Sequence, residues 1–172
     1  MRQATDRILT AIEIAGMSLA LLTLFLIMIS ITADAFGRYF LHTPITGQYE
    51  FTALYLMVIM TFMGLARTQA LGGHIAISIM TPVLSKIPFQ LAARMTSLLC
   101  VIAFGLMTFL TGEEALSRIA ARTTTFGAVQ FPTYLSYCWV PIGVGILTLR
   151  LLHQTIWPIP PKGEELEIVD YE

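Results

Sequence analysis

The chain has 172 residues, of which 56% are hydrophobic and only 12% are charged. Soluble globular domains carry about 25% charged residues. A chain this apolar cannot bury all its apolar side chains in a core of its own size, so much of that surface must face lipid. The net charge of −1 argues against nucleic-acid binding, which requires a basic surface.

Four charge-free segments predict four transmembrane helices, and the expected fold class is therefore an all-α integral membrane protein. A helix needs about 20 apolar residues to cross a bilayer. Two of the segments are slightly short, but arginines at their ends can extend to the interface. The segments are 14–33, 51–66, 95–112 and an apolar stretch from about Pro132 to Leu149.

The stretch between Arg67 and Arg94 is also apolar, but its glycines and prolines do not fit a fifth span. Its pattern favours a short amphipathic helix in the plane of the membrane interface, between the second and third spans. A compact loop folded against the other helices is the alternative. The apolar face would consist of Ile79, Met80, Val83, Leu84 and Ile87, opposite Ser78, Ser85 and Lys86.

The C-terminal residues differ in kind from the rest of the chain. Prolines at 158, 160 and 161 cannot continue a helix, and five acidic residues follow them. We expect a transmembrane domain over residues 1–157 and a flexible acidic tail over 158–172.

Basic residues predict the orientation of the spans. Seven of them fall on the side that holds both termini and the second loop, and Arg38, Arg118 and Arg122 fall on the other side. Both termini are therefore expected in the cytoplasm. Ala33-Asp34-Ala35 formally fits a signal-peptide cleavage site, but the apolar run before it is longer than the usual 7–15 residues. An uncleaved first helix is the preferred interpretation.

Most charges fall at the ends of spans, and three of them cluster around the first hairpin. Asp34 and Arg38 share a helix face and can pair. Glu50 opens the second helix, where the helix dipole favours a carboxylate. Two roles are compatible with this cluster: an ion-pair network that holds the first two helices together, or a contact site for a partner protein.

The sequence offers no set of residues for bond-making chemistry. His42, His74 and His153 lie near span ends, with His42 on the opposite side from the other two, which does not fit a haem site. Cys100 and Cys138 have no metal or redox spacing. Pro141 with Gly143 could kink the fourth helix, although glycine there more simply permits close helix packing. We therefore expect no catalytic residue, metal or cofactor, and the pattern favours an accessory subunit.

Several short segments, in order along the chain, resemble the small membrane subunit of tripartite ATP-independent periplasmic (TRAP) transporters, the DctQ-like family. In the first half these are Arg38-Tyr39, Pro44-Ile45 with Glu50, Phe62 to Arg67, and Gly72-Gly73-His74-Ile75. In the second half these are Phe131-Pro132 with Tyr134, and Pro141-Ile142-Gly143. The chain departs from the family at two places. Tyr49-Glu50 stands where the family often has two adjacent acidic residues, and Ser78 stands where the family frequently has an acidic residue.

The resemblance implies a three-part uptake system for an organic acid or related solute in the bacterial inner membrane. A large membrane subunit would bind substrate and sodium, and a periplasmic protein would capture the solute. This chain would be the non-enzymatic scaffold that packs on the large subunit and helps to dock the periplasmic protein. The structural or docking residues would be Arg38, Tyr39, Glu50, Pro132, Pro141 and Gly143. Gly72, Gly73 and His74, also counted among these site residues, would form the turn into the interfacial helix.

Three other functions stay open at the level of the sequence. The chain could anchor a quinone or haem oxidoreductase, act alone as a small channel or transporter, or serve as a freestanding assembly factor. Each makes a different prediction: a haem spectrum or bound quinone, solute flux from liposomes that hold this chain alone, or the lack of a large permease partner.

Overall fold

A computed structural model of the protein describes residues 2–72, 89–125 and 129–156. Four helices in this part are long and apolar enough to cross a membrane, which confirms the predicted fold class. They are α1 (Arg2–Phe40), α2 (Gln48–Ala70), α3 (Phe89–Ala121) and α4 (Thr133–Ile156). The predicted interfacial helix and the acidic tail lie outside the described residues.

Glycines in the left-handed conformation bracket α2. Gly47 precedes the helix with φ 83°, and a Cβ there would meet the side chains of Val129 and Phe131 at 3.1 Å. Gly72 follows the helix with φ 70° and donates its backbone N–H to the carbonyl of Gln69. Because glycine adopts positive φ without steric cost, it sets both ends of this helix.

The helices form an open row in the order α1, α2, α4, α3. The main contacts join α1 to α2, α2 to α4 and α4 to α3, with a minor contact between α1 and α4. Each helix has one end on either side of the row. We call the side that holds Arg2 and Ile156 the termini side, and the side that holds Phe40 and Thr133 the hairpin side. An open row leaves its two end helices, α1 and α3, covered on one face only.

Glycines allow the central helices to approach closely. A Cβ on Gly143 of α4 would lie 2.3 Å from the carbonyl oxygen of Phe62 in α2. A Cβ on Gly16 of α1 would lie 3.0 Å from the next carbonyl oxygen, that of Met63. The backbone of α2 is thus in contact with a helix on each side, an arrangement typical of small residues in membrane helix packing.

Packing alone does not cover the apolar surface of the row. The small buried core, Ala66, Leu147 and Leu151, lies where α2, α3 and α4 meet, with Phe104 packed on it. The most apolar window of α3 has no buried residue, and large aliphatic side chains on α1 and α3 are about half exposed or more. Such a surface requires lipid or another membrane protein as its environment.

Candidate functional site

Asp34 organises the first hairpin. Its buried carboxylate accepts a hydrogen bond from the backbone N–H of Ile45 at 3.0 Å and pairs with Arg38, one turn along α1. The structure therefore brings together the two charges whose spacing predicted a pair. The carboxylate satisfies a loop N–H that has no helical partner, so it fixes the path of the chain from α1 to α2.

A polar cluster next to Asp34 joins α1 to the start of α2. Ser30 lies 3.3 Å from the hydroxyl of Thr52, and the side-chain amide of Gln48 donates to both hydroxyls. Hydrogen bonds between helices satisfy polar groups that lipid cannot satisfy. Polar contacts that were not predicted from the sequence thus join α1 to α2 on the hairpin side.

Glu50 faces a different neighbourhood from Asp34. It lines an open pocket of about 780 Å³ together with Arg118 and Arg122 of the α3 end. Arg122 adopts the uncommon φ of 45° just after α3. The hydroxyl-bearing residues Thr123, Thr124, Thr125 and Thr133 complete the pocket. Tyr39, by contrast, is 79% exposed at the end of α1, where its ring packs on that of Phe40.

A π-helical segment over Thr52–Leu56 lies where α2 meets the start of α4. The hydroxyl of Tyr55 donates to the carbonyl of Pro132 at 2.6 Å, and the hydroxyl of Ser136 donates to the carbonyl of Leu54. Widened helical turns free carbonyl groups for such contacts. Pro132, one of the predicted site residues, is therefore a hydrogen-bond acceptor that joins α4 to α2.

Four charged residues meet on the termini side. The Glu13 side chain is fully buried in α1, 3.4 Å from Arg150 of α4 and 3.8 Å from Arg67 of α2. Asp6 accepts a hydrogen bond from Arg150 at 3.0 Å. We call these four residues the termini-side cluster. Its two acids and two bases balance in charge, and it joins three helices, so its removal in part would leave a buried charge without a partner.

The role of Glu13, the acid that precedes the first charge-free segment, was not predicted from the sequence. Arg67 and Arg150 were predicted only to orient the spans. The sequence did contain a signal for this cluster. Arg67 and Arg150 follow the second and fourth spans on the same side on which Glu13 precedes the first span. Residues that bound different spans on one side lie at a similar depth and can meet.

The other predicted site residues have separate positions. Pro141 lies inside α4, where a Cβ on Gly112 of α3 would come within 4.0 Å of it. Gly143 lies two residues further along α4, against α2. Gly72 forms the turn after α2, whereas Gly73 and His74 lie outside the described residues. His42 lies on the hairpin side and His153 on the termini side.

The described part of the chain contains no group of three or more His, Cys, Asp or Glu residues placed to hold a metal ion. The polar groups found above instead join helices to one another or line the pocket on the hairpin side. The contacts that these groups make within the chain hold helices in position.

Comparison with known families gives one match. The model of the DctQ component of tripartite ATP-independent periplasmic transporters matches residues 27–159, from the middle of α1 to just beyond α4. No curated protein and no solved structure matches.

Proposed function

Because the chain belongs to the DctQ family of TRAP transporter components, we propose that it is the small scaffold subunit of a sodium-coupled uptake system for an organic acid or related solute. It packs against the large membrane subunit, which binds the substrate and sodium. The observation that carries the proposal is the family match, which includes the whole of α2, α3 and α4 and the first hairpin.

The architecture supports a scaffold. An open row of helices leaves exposed helix faces for a partner, whereas a substrate site of its own would require broken helices and coordinating groups at mid-depth. The central contacts between α2 and α4 are close and involve backbone atoms, which leaves little room for these two helices to shift against each other. Such restraint suits a protein against which a moving subunit slides.

The proposed orientation places the termini side in the cytoplasm of a bacterium and the hairpin side in the periplasm, since basic residues favour the cytoplasm. Leu41 on the hairpin side is 66% exposed, and Leu71 on the termini side is 65% exposed. In a variant without Cys100 and Cys138, a membrane-impermeant thiol reagent should label Leu41→Cys in intact spheroplasts. It should label Leu71→Cys only after permeabilisation. The reverse pattern would contradict the orientation.

The hairpin side then carries the residues that help to dock the periplasmic binding protein. Arg38 has a side chain that is 64% exposed although it pairs with Asp34, and Glu50 lines the pocket that also contains Arg122. Both can present charge to a soluble partner. Replacement of either residue by alanine should reduce uptake while the membrane complex still assembles. Loss of assembly would instead show a purely structural role.

Co-purification tests the scaffold role directly. The tagged chain, expressed with the large membrane subunit of its transporter, should retain that subunit through affinity and size-exclusion steps in mild detergent. Uptake of the solute should require both subunits and the periplasmic protein. A chain that never associates with the large subunit, or that mediates flux alone in liposomes, would contradict the proposal.

A further inference from the structure

The pocket that Glu50, Arg118 and Arg122 line is a gap between α2 and α3, and we call it the hairpin-side pocket. On the termini side these two helices meet α4 around the core of Ala66 and Leu147. On the hairpin side they stand apart, since α3 has its main contacts with α4 and none of similar extent with α2 in the described part of the chain. The volume of about 780 Å³ is in the range of small-ligand sites.

The hairpin-side pocket lies at the edge of the membrane-spanning part of the chain. Tyr49 and Glu50 belong to the first turn of α2, and Thr133 is the first residue of α4. The charge-free segment of the second span begins directly after Glu50. Tyr49 is 80% exposed, and tyrosine is enriched where a membrane protein meets the interface. A site at this depth is therefore next to lipid headgroups.

The pocket contains charges of both signs that the chain does not neutralise by itself. Glu50 is half-buried and Arg122 is exposed. Although both line the same pocket, neither takes part in an ion pair among the described residues. A ligand that enters the pocket therefore meets an acid and a base that have no ion-pair partner there.

Arg118 is held in position on the α3 side of the pocket. Its Nε–H donates to the carboxylate of Glu114 at 2.6 Å, and its guanidinium lies 3.9 Å from the centre of the Tyr137 ring in α4. The bond to Glu114 uses one N–H, and the guanidinium carries four more on its terminal nitrogens. Such a planar fork matches the oxygens of a phosphate. With Arg122, it supplies two guanidinium groups to the pocket.

The loop from α3 to α4 forms a hydrogen-bonded wall behind these charges. The N–H of Thr125 donates to the carbonyl of Phe131 at 2.9 Å, and the N–H of Thr133 donates to the carbonyl of Thr123 at 3.1 Å. These three threonines and Thr124 line the pocket with hydroxyl-bearing side chains. Because internal hydrogen bonds hold the wall, the pocket is formed before a ligand binds, which lowers the entropy lost on binding.

The charges of the pocket select a ligand that is itself charged at two points. A simple anion would pair with the arginines but leave Glu50 without a partner, and a simple cation would meet both arginines. A phosphate ester that also carries a primary ammonium group satisfies both signs. A phospholipid headgroup can have this chemistry, and headgroups surround any chain that spans a bilayer at this depth.

We propose that the hairpin-side pocket binds the headgroup of a phospholipid that carries a primary amine. The phosphate accepts hydrogen bonds from Arg118 and Arg122, and the ammonium group donates to Glu50. The inference goes beyond the proposed function and does not depend on it, because it concerns this chain and lipid alone. It assigns Glu50 a ligand that is present before any periplasmic protein docks.

The apolar part of the lining accounts for the rest of the lipid. Ala53 and Leu54 line the pocket on the α2 side. Met57 lies one turn further along α2, toward the membrane interior, and is 49% exposed. An apolar surface thus continues from the charged end of the pocket into the membrane, where it contacts the start of the acyl chains.

Native mass spectrometry of the purified full chain tests the choice of headgroup. The tagged chain in mild detergent is mixed with equal amounts of phosphatidylethanolamine, phosphatidylcholine and phosphatidylglycerol that have identical acyl chains. One phosphatidylethanolamine should stay bound at least about five times as often as either other lipid. The reason is that choline has no N–H to donate to Glu50, and glycerol carries no cation. Equal retention, or a preference for another headgroup, would overturn the inference.

Substitutions locate the bound lipid. Glu50→Gln should reduce the preference for phosphatidylethanolamine over phosphatidylglycerol to about twofold or less, and Arg122→Gln should reduce bound phosphatidylethanolamine about fivefold or more. Arg122→Lys keeps the charge and should retain at least about half of the binding. The controls Glu113→Gln and Arg94→Gln change exposed residues of α3 outside the pocket and should alter the preference about twofold or less. Pocket variants with an unaltered preference would place the lipid elsewhere and overturn the inference.

Soluble phosphoethanolamine distinguishes a lipid from a free solute. It carries the same two charges but lacks the acyl chains that contact Leu54 and Met57, so an excess of about a hundredfold should leave most of the lipid bound. Displacement of half or more would make the pocket a site for a soluble zwitterion and overturn the lipid assignment. None of these outcomes bears on the scaffold function, since the large subunit is not present in the measurement.

Discussion

Replacement of Gly143 by alanine should loosen the row at its centre. The added Cβ would lie 2.3 Å from the carbonyl oxygen of Phe62, 2.6 Å from its carbonyl carbon and 2.7 Å from its Cβ. These are mainly backbone atoms, which cannot rotate away as the end of a flexible side chain can. Contacts below 3.0 Å are essentially never seen for real Cβ atoms, so α2 and α4 must separate by at least 0.7 Å, the difference between 3.0 and 2.3 Å.

The two helices cannot separate freely, because hydrogen bonds join them on both sides of Gly143. Tyr55 donates to Pro132 toward the hairpin side, and Gln69 donates to Gln154 at 3.1 Å toward the termini side. Overpacking of this kind costs about 1–3 kcal/mol, and the better helix propensity of alanine offsets up to about 1 kcal/mol. The expected net loss of about 1–2 kcal/mol corresponds to a Tm lower by about 2–8 °C for a chain of this size.

Thermal unfolding in detergent, followed by size-exclusion chromatography of a fluorescent fusion, measures this difference. Gly145→Ala is the matched control, because its Cβ would lie 3.5 Å from the Thr108 side chain, an ordinary contact. We expect the control to leave Tm unchanged or to raise it by up to about 4 °C. A Gly143→Ala protein as stable as the control would refute the close approach of α2 and α4.

Three further changes test the polar contacts. Glu13→Ala should destabilise the protein by up to about 3–5 kcal/mol, since it leaves the buried Arg150 with only the half-exposed Asp6 as a partner in α1. The double variant Glu13→Leu with Arg150→Met should recover much of the stability lost in Glu13→Ala, measured as Tm. No recovery would argue against a buried pair. Asp34→Ala should lower Tm and loosen the first hairpin, because the N–H of Ile45 loses its carboxylate partner. It should raise thiol labelling of Ile45→Cys more than Asp34→Asn does, whereas equal labelling would show that the carboxylate does not hold the loop. Tyr55→Phe should cost about 0.5–1.5 kcal/mol through its lost bond to Pro132. The exposed control Tyr49→Phe should stay within about 0.5 kcal/mol in the same melting assay; equal losses would mean that the Tyr55 bond is not specific.

Local features of the sequence were sufficient for the four spans. Each charge-free segment falls inside one of the four helices, because lipid requires an apolar, internally hydrogen-bonded backbone over a fixed length. The pair of Asp34 and Arg38 was also predictable, since residues four apart on a helix are neighbours. The ordered short segments identified the family before any helix was placed in space.

Contacts between helices decided the rest. From the sequence, Arg67 and Arg150 had a topological meaning only, whereas the structure joins both to the buried Glu13. The physical reason is that the length of an apolar run depends only on residues that are adjacent in the sequence. The relative height of two helices depends instead on how their surfaces pack. The sequence by itself therefore determined how many times the chain can cross the membrane, and the tertiary structure decided which charges from different helices meet.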